Sequence, residues 1–215
     1  SLGDALVKWH EPNGLIPGNF LRRDDGGKRL DKEPSDNPVY YGEMTSFLLQ
    51  LHALTGDERY AKTVLRYAEK IMSKFPEVKP FGFSDNFTYS RHLMTLVFIQ
   101  EALGLNYSKP INEILNVFHA LRHPTGGLRE TPIQLKDHAE AGVGIGDGSD
   151  NIADMLYCNN FTLCALSVLA HARNPYEVDI DLAKELHADL LRFWLDTQIA
   201  SDDPSLNGAW MRAYD

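Results

Sequence analysis

The apolar stretches 44–54, 93–100 and 155–170 contain no Lys, Arg, Asp or Glu. This absence of charge constrains the fold more than any other feature. A helix that lacks charged residues around most of its circumference is typically buried on most sides. Each stretch is therefore predicted to be an inner helix of a larger helical assembly.

An amphipathic segment follows each uncharged stretch. In 57–75, apolar residues recur at three- and four-residue spacing while charged residues occupy the other faces, and 111–121 and 179–199 repeat this pattern. Such a stripe predicts a helix that is buried on one side. In the last segment the predicted stripe consists of Leu186, Leu190, Phe193 and Leu195. Together with a short helical fragment at 1–10, the pattern predicts an all-α chain of three hairpins, each with one inner and one outer helix.

The connections between these helices are of two kinds. Links within a hairpin are short, whereas the links into the inner helices, at 11–37, 76–85 and 123–150, are long. A glycine next to an apolar residue recurs after each outer helix, in Gly14-Leu15, Gly82-Phe83, Gly127-Leu128 and Gly208-Ala209-Trp210. This recurrence indicates an internal repeat. Since every long loop leads into an inner helix, we expect the loops to gather at one end, where binding and chemistry are commonly found.

Two segments suggest a family. The link Leu54-Thr55-Gly56-Asp57-Glu58-Arg59-Tyr60 and the tail Gly208-Ala209-Trp210-Met211-Arg212-Ala213-Tyr214-Asp215, with the alternating helices, resemble the six-hairpin glycosidase superfamily. The resemblance implies an (α/α)6 toroid of twelve helices that acts on polysaccharides. Residues 1–215 would form a single α/α-toroid domain that consists of three hairpins and a helical fragment. This is about half of the toroid, so we expect the toroid to be incomplete.

An incomplete toroid has a physical consequence. Its inner helices would expose apolar sides over a larger patch than a soluble monomer usually shows. We therefore expect a homo-oligomer, a compensating closure or a further segment of chain to complete the toroid.

Composition excludes several classes of partner. The net charge is −9, with 43% hydrophobic and 24% charged residues, as in an ordinary soluble globular protein. No basic stripe is present to neutralise phosphates, which argues against nucleic acid and against an anionic membrane surface. No apolar run reaches the roughly 18 to 20 residues of a membrane span. Cys158 and Cys164 are predicted to be unpaired, buried thiols, and they indicate no cellular compartment.

The first turns of the inner helices and the tail supply the candidate site residues. Glycoside hydrolysis needs two carboxyl groups, one as acid and one as nucleophile or base. The catalytic candidates are Glu43, Asp85, Asp150 and Asp154. Aromatic rings can face a sugar, and Arg and His can hydrogen-bond its hydroxyl groups. The substrate-binding candidates are Tyr40, Tyr41, Tyr89, Arg91, His92, Trp210, Arg212 and Asp215, of which Asp215 also belongs to the pool of carboxylates.

Each of these residues also has a structural interpretation. Asp85 and Asp150 lie where a helix N-cap is expected, and Glu43 lies in a first turn that favours acids. His92 adjoins an apolar run and is typical of a core histidine. Asp154 follows Asp150 by one turn, so the two carboxylates would repel each other unless a cation or a raised pKa relieves them, which favours a site.

The loop before the third inner helix raises two further alternatives. Asp147, Ser149, Asp150 and Asp154 could ligate calcium, although the bidentate Glu and the spacing of an EF-hand are missing. Neither a dinucleotide fingerprint nor a P-loop is present, so no nucleotide cofactor is predicted. Residues 22–29 are expected to be a solvated loop or a hairpin turn.

Three functions therefore remain open. A glycoside hydrolase that uses paired carboxylates is favoured. A polysaccharide lyase on the same fold would use Tyr89, His92 or an Asn with an Arg to remove a proton beside a uronate carboxylate. The third alternative is a carbohydrate-binding or scaffold protein without catalytic activity.

Overall fold

The computed structural model describes residues 1–9, 19–22, 30–33, 42–74, 85–129, 156–173 and 175–210. Within these ranges the chain forms seven helices and one β-hairpin. In chain order the elements are α1 (Leu2–Trp9), β1 (Asn19–Arg22), β2 (Leu30–Glu33), α2 (Gly42–Thr55), α3 (Glu58–Lys74), α4 (Asp85–Leu103), α5 (Ser108–Leu121), α6 (Leu156–Ala170) and α7 (Ile180–Asp196).

The chain divides into two compact units. Residues 1–78 form the first, with α1, the hairpin, α2 and α3, and residues 79–215 form the second, with α4 to α7. The expectation of a single domain stays a prediction.

The predicted all-α class is confirmed, because all six predicted inner and outer helices and the short N-terminal helix are present. The expectation of a loop at 11–37 is wrong in part, because the described residues of this segment form β1 and β2, which pair antiparallel with Phe20 opposite Lys32. The strands are only four residues each, too short for an alternating pattern to stand out in the sequence. Their pairing agrees with the hairpin-turn interpretation of 22–29.

The turn between α2 and α3 shows why the Thr-Gly-Asp link ends one helix and begins another. Gly56 has a φ of +69°, and its N–H donates to the carbonyl of His52 at 2.8 Å. This left-handed conformation ends a helix at little cost only in glycine. The Asp57 carboxylate then accepts the backbone N–H of Arg59 at 2.9 Å, which satisfies a free donor at the start of α3. The bonds from Arg59 hold the pKa of Asp57 below its usual value.

The N-terminal helix packs closely against the first hairpin. A Cβ added at Gly3 would lie 2.5 Å from Leu51 Cδ1 and 2.9 Å from Tyr60 Cε1, so a larger residue here would force these side chains to shift. Tyr60, the last residue of the link, is buried. Arg59 also donates to the Asp4 carboxylate at 3.0 Å across the surface. The link therefore positions α1 as well as α3.

The outer helices of the second unit bury the stripes that the sequence predicts, with one exception. In α5, Ile111, Ile114, Leu115, Phe118 and Leu121 are all fully buried, each with a burial gain of about 1.5–3 kcal/mol. In α7, Leu186, Leu190 and Phe193 are buried, but Leu195 is 63% exposed. Leu195 was wrongly assigned to the stripe. It lies two residues beyond Phe193, and at 3.6 residues per turn that spacing turns its side chain away from the buried face.

The three uncharged helices differ in burial. From Ser90 to Val97 every residue of α4 is buried, as predicted for an inner helix. By contrast α2 exposes one side, where Leu54 is 83% exposed, and α6 exposes the side with Asn160 and Cys164. Burial on most sides, which the absence of charge predicts, is therefore most complete in α4 and least complete at the C-terminal end of α2.

The two cysteines of α6 are both free, as predicted. Cys158 is buried but Cys164 is exposed, so the expectation of a buried thiol is wrong for Cys164. Six residues separate the two, and at 3.6 residues per turn this spacing places them on different sides of α6.

Candidate functional site

The first turns of α4 and α6 meet at one backbone position, Leu128, in the segment that follows α5. Asn159 accepts the N–H of Leu128 through Oδ1 at 2.9 Å and donates through Nδ2 to the carbonyl of Leu128 at 3.4 Å. Asn86 donates to the same carbonyl at 3.4 Å. All three residues are fully buried. Because Asn86 and Asn159 each lie near the start of their helix, α4 and α6 begin at the same end of the second unit.

We call this end, defined by Asn86, Leu128 and Asn159, the mouth end. The antiparallel packing of α7 on α6 brings the C-terminal end of α7 to it. Ser167 of α6 lies beside His187 of α7, with their side chains 3.0 Å apart. Both helices rise by the same distance per residue. Asn159 lies eight residues before Ser167 in α6, and Leu195 lies eight residues after His187 in α7, so Asn159 and Leu195 are at about the same level.

The segment between α5 and Leu128 is anchored to α7. Gly126 has a φ of +96°, and a Cβ there would lie 2.4 Å from the carbonyl oxygen of Asp189. Glycine is therefore required for both the conformation and the contact. Arg122 donates to Glu185 at 2.7 Å and forms a second ion pair with Asp189. The carboxylates of Glu185 and Asp189 raise the pKa of Arg122, which stays protonated. These contacts hold the loop that leads to Leu128 in one position.

Arg91 lies between α4 and α6 rather than in an open cleft. Its side chain is almost completely buried, with the guanidinium 4.7 Å from the centre of the Phe161 ring and Nη1 3.9 Å from Cys158 Sγ. The cation–π contact stabilises the charge in this setting. Tyr89, two residues earlier, is half-buried.

His92 is a core residue. It is fully buried, and neither ring nitrogen has a hydrogen-bond partner among the described residues. Its ring lies edge-to-face with Tyr89, with centroids 6.3 Å apart. Burial, and secondarily the charge of Arg91, lowers the pKa of His92 to about 3. The imidazole is therefore neutral near pH 7 and isolated from solvent. The predicted contact of His92 with a substrate stays a prediction.

Trp210 lies beside the C-terminal end of α7. Its indole Nε1–H donates to the carbonyl of Trp194 at 2.8 Å, and the two rings are T-shaped with centroids 5.3 Å apart. Even so, Trp210 is 42% exposed. Of the predicted substrate-binding residues that the structure describes, it is the most accessible.

The remaining candidates are only partly described or not described. For Glu43 and Asp85 the structure gives the backbone position, in the first turns of α2 and α4 respectively, and Asp85 directly precedes Asn86 at the mouth end. The predictions that lie outside the described residues concern Tyr40, Tyr41, Asp150, Asp154, Arg212 and Asp215, as well as Asp147 and Ser149 of the calcium alternative. All of these stay predictions.

Leu128, whose backbone joins the starts of α4 and α6, was not among the candidate residues predicted from the sequence. Its signal was present, since Gly126-Gly127-Leu128 is one copy of the repeated glycine step. What the sequence could not show is that the backbone of this residue, rather than its side chain, binds two asparagines. A buried polar side chain requires hydrogen-bond partners, and Leu128 supplies them for Asn159.

The described residues contain no group of three or more His, Cys, Asp or Glu that could hold a metal ion. Within the same residues, no helix combines the length and the apolar character needed to cross a membrane. Comparison of the chain with protein families, with characterised proteins and with solved structures gives no match, so its function has to be inferred from its own residues.

Proposed function

We propose that the chain is a carbohydrate-active enzyme of the glycoside hydrolase class, built on an α/α toroid of helical hairpins. The observation that supports this most strongly is the meeting of the α4 and α6 first turns at Leu128. It brings the first turns of α4 and α6 to one end, and Asp85 is the first residue of α4. Two carboxyl groups at one end are the minimum that glycoside hydrolysis requires.

The roles follow from this arrangement. One carboxylic acid protonates the leaving-group oxygen, and a second carboxylate acts as nucleophile or activates water. Asp85, Asp150 and Asp154 of the second unit form the pool from which this pair is drawn, and Glu43 of the first unit stays a candidate on the sequence alone. Trp210, which is 42% exposed, provides an aromatic face for a sugar ring.

The lyase alternative has weaker support. Two of the residues it needs, Arg91 and His92, are buried between helices, and the neutral His92 has no polar partner among the described residues through which a proton could leave. A base that abstracts a proton has to come within hydrogen-bond reach of the substrate.

Completion of the toroid is part of the same proposal. The uncharged sides of α2 and α6 are exposed, and each is a surface on which a further helix or a second copy would pack. Light scattering on the full chain tests the second copy, since a dimer is expected in that case and a monodisperse monomer would contradict it.

The test of the activity is cleavage of a panel of uncharged polysaccharides, with chromatography of the products. Asp154→Asn and Glu43→Gln are expected to lower kcat by about 10²–10⁴-fold, as loss of a general acid or base does. Asp181→Asn, in the first turn of the outer helix α7, is the matched control and should keep full activity.

The outcomes separate the three functions. Products with new ultraviolet absorbance would identify unsaturated uronates and select the lyase. Binding without turnover would select the non-catalytic alternative. No cleavage of any polysaccharide at acidic, neutral or alkaline pH would overturn the hydrolase.

A further inference from the structure

We draw no further inference here: the strongest candidate, the set of fully buried polar side chains in α4 and α6 formed by Asn86, His92 and Thr162, holds atoms without a hydrogen-bond partner among the described residues, but these atoms expose no surface that a ligand could reach.

Discussion

Lowering the pH should destabilise the second unit through His92, by an amount that follows from its burial. The folded-state pKa is lowered to about 3, whereas an unfolded histidine has a pKa near 6.5. Between these two values only the unfolded chain binds the proton. The contribution of the neutral His92 to the free energy of unfolding is therefore fully present above the unfolded-state pKa. It is lost as the pH falls towards the folded-state pKa.

At pH 5 the loss is already measurable. The unfolded imidazole is mostly protonated at that pH while the folded one is still neutral, so the free energy of unfolding is expected to be about 2 kcal/mol lower than at pH 8. His92→Leu removes this contribution without creating an unpaired group, because neither ring nitrogen has a partner among the described residues. Replacing an unsatisfied buried polar side chain by an apolar one of similar size is close to neutral or stabilising.

The assay is urea unfolding at pH 8 and at pH 5, followed by the fluorescence of Trp194 and Trp210, which belong to the same unit as His92. The measured quantity is the difference in the free energy of unfolding between the wild type and His92→Leu. Carboxylates titrate in both proteins, so their effect cancels in this difference. It should change by about 2 kcal/mol between pH 8 and pH 5. His119→Gln, at an exposed position, is the control and should follow the wild type. A difference that is equal at pH 8 and pH 5 would refute the assignment of His92 as a neutral core residue.

Two further predictions concern the mouth end and the glycines. Asn159→Ala leaves the buried N–H of Leu128 without an acceptor, so we expect a loss of about 1–3 kcal/mol and faster hydrogen exchange at that amide; unchanged exchange would contradict the bond. Gly126→Ala should cost more than Gly56→Ala in thermal denaturation, because a Cβ at Gly126 meets the Asp189 carbonyl at 2.4 Å whereas the space at Gly56 is open. Both glycines have a positive φ, so Gly56→Ala measures only the conformational cost, about 1–2 kcal/mol. If the two variants lose equal stability, the backbone at Gly126 moves enough to relieve the clash.

The helices could be predicted because their signals are local. In α5 the spacing of Ile111, Ile114, Leu115 and Phe118 determines which side is buried, whatever packs against it. The link at Gly56 could be recognised for the same reason, since a left-handed glycine followed by a capping Asp acts within a few residues.

Contacts between distant segments could not be predicted. The bonds from Asn86 and Asn159 to Leu128 join residues 42 and 31 positions apart in the chain. Nothing in the local pattern indicates that an asparagine near a helix start will bind a backbone carbonyl in another loop. The exposure of Leu195 and Cys164 differs in this respect, because the helical spacing alone turns each of them away from the buried side of its helix.

The bond between Leu128 and Asn159 also determines what it costs to vary the chain between them. The Leu128 nitrogen and the Asn159 side-chain oxygen are 2.9 Å apart, so the two described positions that flank residues 130–155 are held together in the folded protein. Doubling the length of the chain between them would add only about 0.6 kcal/mol of closure entropy. The helices should therefore tolerate an insertion in 130–155, whereas the proposed hydrolysis should still depend on the carboxylates of Asp150 and Asp154.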